Sequence, residues 1–377
     1  MTEPTLPRVG IFAPESPYHA PALVQYAWQV IGSLRQYGSG QVETQVLSPH
    51  WWHLLGRMPW SVGQMCDEVI NRLGNHPDYL RRRLRRRCDS YHFCDARDAH
   101  LTAELPPGRV VVCCHDLHPF TSVLQRGGNP LRQALVRQQL EGLRRAAVVL
   151  YSTETLRRKI LIHELLDDAR LVYCPPGVAE VFRQSAPPAE NLLPRVRQWL
   201  AGGPYLLQVG GQYSLAEFRI TLALLAHLRQ QGWPGRLLWI GPPPTPACAV
   251  EAERLGVWSY VSHLENPTEV DRAGLYHGAG LVVVPQSEDT FTPTLAEALA
   301  CGSKVLARAL PALVEIGGDV ATYLPEDDLA AWCAVGGDLL QRQEVYSERA
   351  QRMRRVANFD WAIHAQIIMQ VHARLRQ

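Results

Sequence analysis

Short apolar runs rich in β-branched residues alternate with amphipathic segments along almost the whole chain. In the first half these runs are "RVGIFAP", "VETQVLSP", "GRVVVCCHD", "AAVVLYST" and "ARLVYCPPG". In the second half they are "PYLLQVGG", "GRLLWIGPP", "WSYVSHL", "GLVVVPQ", "KVLARA" and "ATYL". Between them lie helical patterns such as "ALVQYAWQVIGSLRQYG" and "SLAEFRITLALLAHLRQQG". Strands that are apolar almost throughout belong to parallel sheets covered on both faces by helices. Two such series predict two doubly wound, Rossmann-like α/β domains, and 377 residues exceed what one core usually organises. The proline-rich, polar stretch "RQSAPPAENLLPRV" from Arg183 reads as the linker, giving a first domain over 1–185 and a second from 186. The default ligand site is then a cleft that the two domains face, where parallel strands present their carboxyl ends.

Composition excludes several classes. The 46% hydrophobic and 20% charged content is ordinary for a globular protein, and a net charge of +2 is too balanced for a dedicated nucleic-acid binder. The start "MTEPTLPRVG" has neither a basic nor an apolar signal-peptide region, and no apolar run reaches membrane-span length. The nine cysteines include no C-x-x-C pair, which argues against a disulfide framework or a zinc site. A reducing cytoplasm is the expected compartment.

Residues 51–100 break the alternation. They contain "WWHLLGRMPW" and "YLRRRLRRRC", with six arginines between Arg81 and Arg87. The plain reading is a solvated helix face. The sharper one is a basic surface for anionic lipid or a phosphorylated acceptor, which would hold the protein peripherally at an inner membrane.

The stretch "VVVPQSEDTFTPTLAEALACGSKVLARA", Val282–Ala309, carries the chemistry. A strand is followed by a polar loop and a helix, with Thr292 placed to be N-cap, Pro293 at the first helical position and Gly302 at the left-handed end. The N–H groups of Thr294 and Leu295 fall in the first turn, a ready anion site. Asp289 in the loop and Glu297 one turn into the helix suit sugar hydroxyls. Diphosphate at the amides, ribose at one carboxylate and donor sugar at the other would describe a nucleotide-sugar.

These residues resemble the GT-B glycosyltransferases, and within them the large retaining group called glycosyltransferase family 4. "PQSEDTFTPTLAEALACGSKV" is similar to that group's Glu-x7-Glu signature, with Asp289 for the first Glu and Glu297 for the second. "CCHDLHPF" looks like the end of the family's first-domain histidine strand, "VYCPPGVAEVF" like the turn closing that domain, and "RVANFDWAIHAQIIMQVH" like the terminal helix returning to it. The resemblance implies a GT-B fold whose second domain, 186–355, takes the donor and whose 356–377 helix crosses back. It implies transfer of a hexosyl-type sugar from a nucleoside diphosphate sugar to a hydroxyl of a glycan, lipid-linked or protein acceptor, with retention. Asp289 and His115 would reach the donor sugar, Glu297 the ribose, and Asp116 would lie on the acceptor side. Gly210, Gly211, Phe291, Thr292, Thr294, Leu295 and Arg219 complete the implied donor contacts. No cofactor and no D-x-D metal motif is expected.

The chain also departs from the pattern. Asp289-Thr290-Phe291-Thr292 stands where the family reads Glu-Gly-Phe-Gly, removing two glycines that allow close backbone approach. "VGGQYSLAEFRIT" lacks the basic clamp on the diphosphate, and Arg219 is the nearest substitute. A GT-B protein that binds a nucleotide-sugar, glycan or protein partner without turnover is therefore the alternative.

Overall fold

The structure is a computed structural model that describes residues 6–13, 21–55, 66–83, 88–120, 130–210 and 214–376. The chain forms two compact units, residues 1–176 with 361–377, and residues 177–360. Among the described residues each holds one six-stranded, wholly parallel sheet, as two series of apolar runs require.

In the first unit the strands are β1 (Arg8–Phe12), β2 (Glu43–Leu47), β3 (Ser90–Phe93), β4 (Val110–Cys114), β5 (Val148–Tyr151) and β6 (Leu171–Tyr173), in the order β2-β1-β3-β4-β5-β6. The sequence reading lacks only β3. Its residues, Ser90, Tyr91, His92 and Phe93, are all buried, yet two of the four are polar, so no apolar run marks them.

In the second unit the strands are β7 (Tyr205–Val209), β8 (Arg236–Ile240), β9 (Val261–Leu264), β10 (Leu281–Val284), β11 (Val305–Arg308) and β12 (Thr322–Leu324). Their order is β12-β11-β10-β7-β8-β9, so the winding reverses between β7 and β10. Alternate residues feed opposite cores: Leu207, Val209, Val282 and Val284 on one face, Leu206, Leu237, Leu281 and Val283 on the other.

The unit boundaries differ from the expected 185/186 and 356. Residues after Pro176 pack on the second sheet: Val178 N–H donates to the Phe359 carbonyl at 2.7 Å, and Phe182, Leu192 and Val196 are buried in its core. The proline-rich stretch is thus held by apolar burial, worth about 1.5–3 kcal/mol for each large side chain. The chain rejoins the first unit at Trp361.

The closing Trp361–Arg374 helix buries Ala365, Ile368 and Val371 with Val9, Ile11 and Val111 of the first sheet. Two histidines of this helix enter a chain of buried hydrogen bonds. His364 Nδ1 lies 2.8 Å from the Pro175 carbonyl and its Nε2 3.1 Å from the Tyr26 hydroxyl. Tyr26 is 3.2 Å from Cys113 Sγ, which is 3.2 Å from His92 Nε2. His92 Nδ1 meets His372 Nε2 at 3.2 Å, and His372 Nδ1 meets Ser90 Oγ at 2.7 Å. Because a carbonyl only accepts, His364 must carry its proton on Nδ1. Every later donor then points the same way, from Ser90 through His372, His92, Cys113 and Tyr26 to His364, with each ring neutral. His115 packs edge-on to Tyr26 at 4.4 Å between ring centres.

Burial makes all three buried rings poor bases. His364 is lowered to about 4 and His372 to about 3, while His92 is lowered by burial first and by His372 beside it. Undocking returns a ring to about 6.5. The undocked state then binds more protons, so docking is fully stable above about pH 6.5 and weakens as pH falls toward 4, by about 1.4 kcal/mol per ring per pH unit. Hydrogen exchange of 361–374, corrected for chemical rates, should accelerate between pH 7 and pH 5. The Leu215–Gln230 helix of the second unit should not follow. Equal response of the two helices would refute the histidine account.

Candidate functional site

In an open parallel sheet the ligand crevice lies at the carboxyl ends of the strands where the winding reverses. In the second unit that point lies between β7 and β10, which pair through Leu206↔Leu281 and Leu207↔Val282. The loop after β10 and the Pro293–Ala300 helix converge on it. Thr292 is N-cap in position, though its side chain makes no capping bond, Pro293 is at N1 and Gly302 takes φ +76° past the end. Thr294 Oγ donates to the Val209 carbonyl at 3.1 Å, seating the helix start against the end of β7. The Thr294 and Leu295 N–H groups belong to the first turn, where helix geometry supplies no acceptor. Gly210 continues β7 through a 3.0 Å N–H bond to the Ile240 carbonyl. Phe291 packs edge-on against Phe359, 5.7 Å between centres. Leu295 has its side chain in the core.

The two carboxylates have different neighbours. Asp289 Oδ1 accepts from the Ala312 N–H at 2.7 Å, which ties the loop after β10 to the helix after β11. Glu297 turns toward the Glu269–Gly278 helix: Oε1 takes Arg272 at 3.1 Å and Oε2 the Tyr276 hydroxyl at 3.2 Å. The side chains of Arg272 and Glu297 are 16% and 12% exposed, so this is a largely desolvated pair. Burial pushes the Glu297 carboxyl up, and Arg272 pulls it part of the way back. Each oxygen has one partner of the roughly two it can accept, so capacity for hydroxyl donors remains.

Arg219 lies on the Leu215–Gln230 helix and is committed to Glu251 at 2.9 Å, where Arg254 joins at 2.8 Å. Glu251 is held down to about 2, by the Arg254 bond first and by Arg219 with it. Gly211 lies outside the described residues. His115 and Asp116 belong to the first unit, just past β4: His115 Nε2 bonds the Cys94 carbonyl at 2.9 Å, and Asp116 Oδ1 accepts from the His118 N–H at 2.8 Å. The structure thus brings Asp289, Phe291, Thr292, Thr294, Leu295, Glu297 and Gly210 to one end of one sheet, and leaves Arg219 in an ion-pair network.

Sequence reasoning missed the residue that joins the crevice loops. Glu217, 6% exposed, is the third helical residue of Leu215–Gln230 and closes a capping box with Ser214. Its other oxygen takes the Ser287 N–H at 2.5 Å and hydroxyl at 2.7 Å from the loop after β10. The S-x-x-E spacing of Ser214 and Glu217 was a readable capping signal; the bond to Ser287 was not.

Elsewhere in the first unit, Arg81 makes a bidentate bond to Glu104 and Arg82 pairs with Asp78. Positions 84–87 of the arginine run lie outside the described residues. Among the described residues no helix is long and apolar enough to cross a membrane, and no three His, Cys, Asp or Glu side chains gather as a metal site.

The two wholly parallel six-stranded units define the GT-B fold class, and comparison with known proteins agrees. Over 209 residues the chain is 29% identical to a D-inositol 3-phosphate glycosyltransferase of Mycobacterium ulcerans, a match covering 52% of this chain and 42% of that protein. The chain thus spans less than half the length of that relative. It superposes with a TM-score of 0.66 on a glycosyltransferase from Rickettsia africae, at 12% identity and 98% coverage of both chains. It also superposes, with a TM-score of 0.70, on a structure described as trehalose-6-phosphate from E. coli bound with UDP-2-fluoro glucose, at 15% identity, with 98% of this chain and 99% of that one covered. No protein-family profile matches the chain.

Removing one partner of a desolvated ion pair strands the other. Glu297→Ala should therefore lower unfolding stability by about 3–5 kcal/mol. Adding Arg272→Ala should recover part of that loss in a urea-denaturation double-mutant cycle. Additive losses would show that the two side chains do not act as a pair.

Proposed function

We propose that the protein is a glycosyltransferase that moves a sugar from a nucleoside diphosphate sugar to a hydroxyl acceptor with retention of anomeric configuration. The observation that carries this reading is the helix start at Pro293, set at the switch point of a parallel sheet with Asp289 in the loop before it and Glu297 one turn into it. First-turn N–H groups of Thr294 and Leu295 would meet the diphosphate, where charge builds as the glycosidic bond breaks. Glu297, braced by Arg272 and Tyr276, would accept from the ribose hydroxyls, and Asp289 from the donor sugar. His115 is assigned to the donor sugar by resemblance alone. With retention, the departing diphosphate itself takes the acceptor proton on the face it leaves, so the protein contributes orientation and charge stabilisation. The resident chemistry needs no cofactor in this scheme.

A non-catalytic reading has its own support: Arg219 is bound to Glu251, and Glu217 puts a carboxylate beside the crevice. A panel of nucleotide-sugars decides between the two. Slow hydrolysis of one donor, with the product anomer read by proton NMR, is the expected result, and Asp289→Ala should lower that rate at least about 100-fold. Saturable binding with no turnover, with or without candidate acceptors, selects the binding protein. Binding of no donor at all sinks the transferase and leaves, of the alternative, only a protein that takes a glycan or a protein partner.

A further inference from the structure

The carboxylate of Glu217 stands where an anionic ligand of the switch point would ordinarily find its donors. The Leu215–Gln230 helix begins directly after β7, so its N-terminus faces the same crevice as the start of Pro293–Ala300. Backbone N–H groups at such a start, aided by the helix dipole, hold phosphates in many α/β proteins. Here two of them are already taken, the Ser214 N–H by Glu217 and the Glu217 N–H by the Ser214 hydroxyl oxygen at 3.2 Å. Glu217 Oε2 takes the Ser214 N–H at 2.6 Å and the Ser214 hydroxyl at 2.9 Å. Oε1 takes the N–H and the hydroxyl of Ser287. Four donors from the loops after β7 and β10 thus converge on one side chain that is more than nine-tenths buried. Arg219, on the same helix, is spent on Glu251.

We infer that Glu217 is the specificity-determining residue of the crevice: an internal carboxylate that fixes the two loops to each other and closes the Leu215–Gln230 helix start to phosphate, so that an anionic ligand is confined to the start of Pro293–Ala300. The inference deepens the glycosyltransferase reading and rests on it for the identity of the ligand, but its mechanism is electrostatic and concerns any diphosphate. Two consequences follow from the geometry. A diphosphate at Thr294 and Leu295 feels the like charge of Glu217 across the end of β7, which lowers affinity. The loop after β10 keeps its place through Ser287 whether or not a ligand is present, so Asp289, two residues on, is held ready. Glu217 touches no reacting atom; it acts through the loops and through its charge.

Inorganic pyrophosphate is the probe, because it carries the diphosphate charge without the sugar or the base. Titration calorimetry compares wild type, Glu217→Gln, which keeps the size, removes the charge and turns one acceptor oxygen into an N–H donor, and Ser287→Ala, which removes one clamp bond and keeps the charge. The expected result is pyrophosphate affinity at least about tenfold higher in Glu217→Gln than in wild type, with no gain in Ser287→Ala. Equal or weaker affinity in Glu217→Gln overturns the inference, and so does absence of binding in both. A matching gain in Ser287→Ala overturns it too, because a loosened loop would then explain the effect. If Glu217→Gln does not fold, hydrogen exchange of wild type decides: pyrophosphate should protect the Thr294 and Leu295 amides and leave those of Ser214 and Ser287 unchanged. Added protection at Ser214 or Ser287 means the carboxylate has been displaced, which overturns the inference. Failure of the glycosyltransferase reading is seen separately, as absence of donor hydrolysis by wild type.

Discussion

The parallel pairing of β7 with β10 is the constraint on which the second unit depends. Every strand of this sheet runs the same way, so each connection must pass over a face, and the winding can reverse at only one place. At that place the loops leaving neighbouring strands part to opposite faces and leave a crevice. The Leu215–Gln230 and Pro293–Ala300 helices both begin there, which brings two helix N-termini to one spot. Thr294 on the Val209 carbonyl and Glu217 on Ser287 lock this arrangement from either side.

Two positive helix ends side by side invite negative charge, and the chain supplies much of it itself. Glu217 serves one helix start, while Asp289 caps the N–H of Ala312 at the beginning of a third helix. Glu297 is neutralised by Arg272 rather than by a helix end. Its burial in an ion pair costs desolvation, and the Tyr276 hydroxyl and Arg272 together offset that cost. The crevice is therefore pre-ordered by internal polar bonds. Under the glycosyltransferase reading proposed above, a ligand would meet donors and acceptors whose positions do not depend on it, which is how an enzyme avoids reorganising at the moment of reaction.

The first unit handles buried polarity differently. Three histidines, a tyrosine, a cysteine and a serine form a single directed chain of hydrogen bonds between the sheet and the closing helix. Buried polar groups are tolerable only when satisfied, and here satisfaction requires Trp361–Arg374 to be in place. Apolar contacts of Ala365, Ile368 and Val371 supply attraction; the histidine chain fixes the register in which the helix docks.

The sequence by itself determined the class of fold and the location of the crevice motif. Eleven of the strands stand out as apolar runs because a strand buried on both faces has no freedom to be polar, and the helix start at Pro293 follows from the preference for proline at the first helical position. Such signals are short-range, so one chain carries them openly. Tertiary structure alone decided what depends on partners distant in the chain. β3 is a strand because Ser90 and His92 are completed by His372, and Arg219 is an ion-pair residue because Glu251 lies opposite it. The unit boundary falls at Gly177 because Phe182 and Val196 find the second core. Glu217 reads as a capping residue in sequence and becomes the lock of the crevice only when β7 and β10 lie side by side, since hydrogen bonds between polar groups leave no periodic trace in the residues that make them.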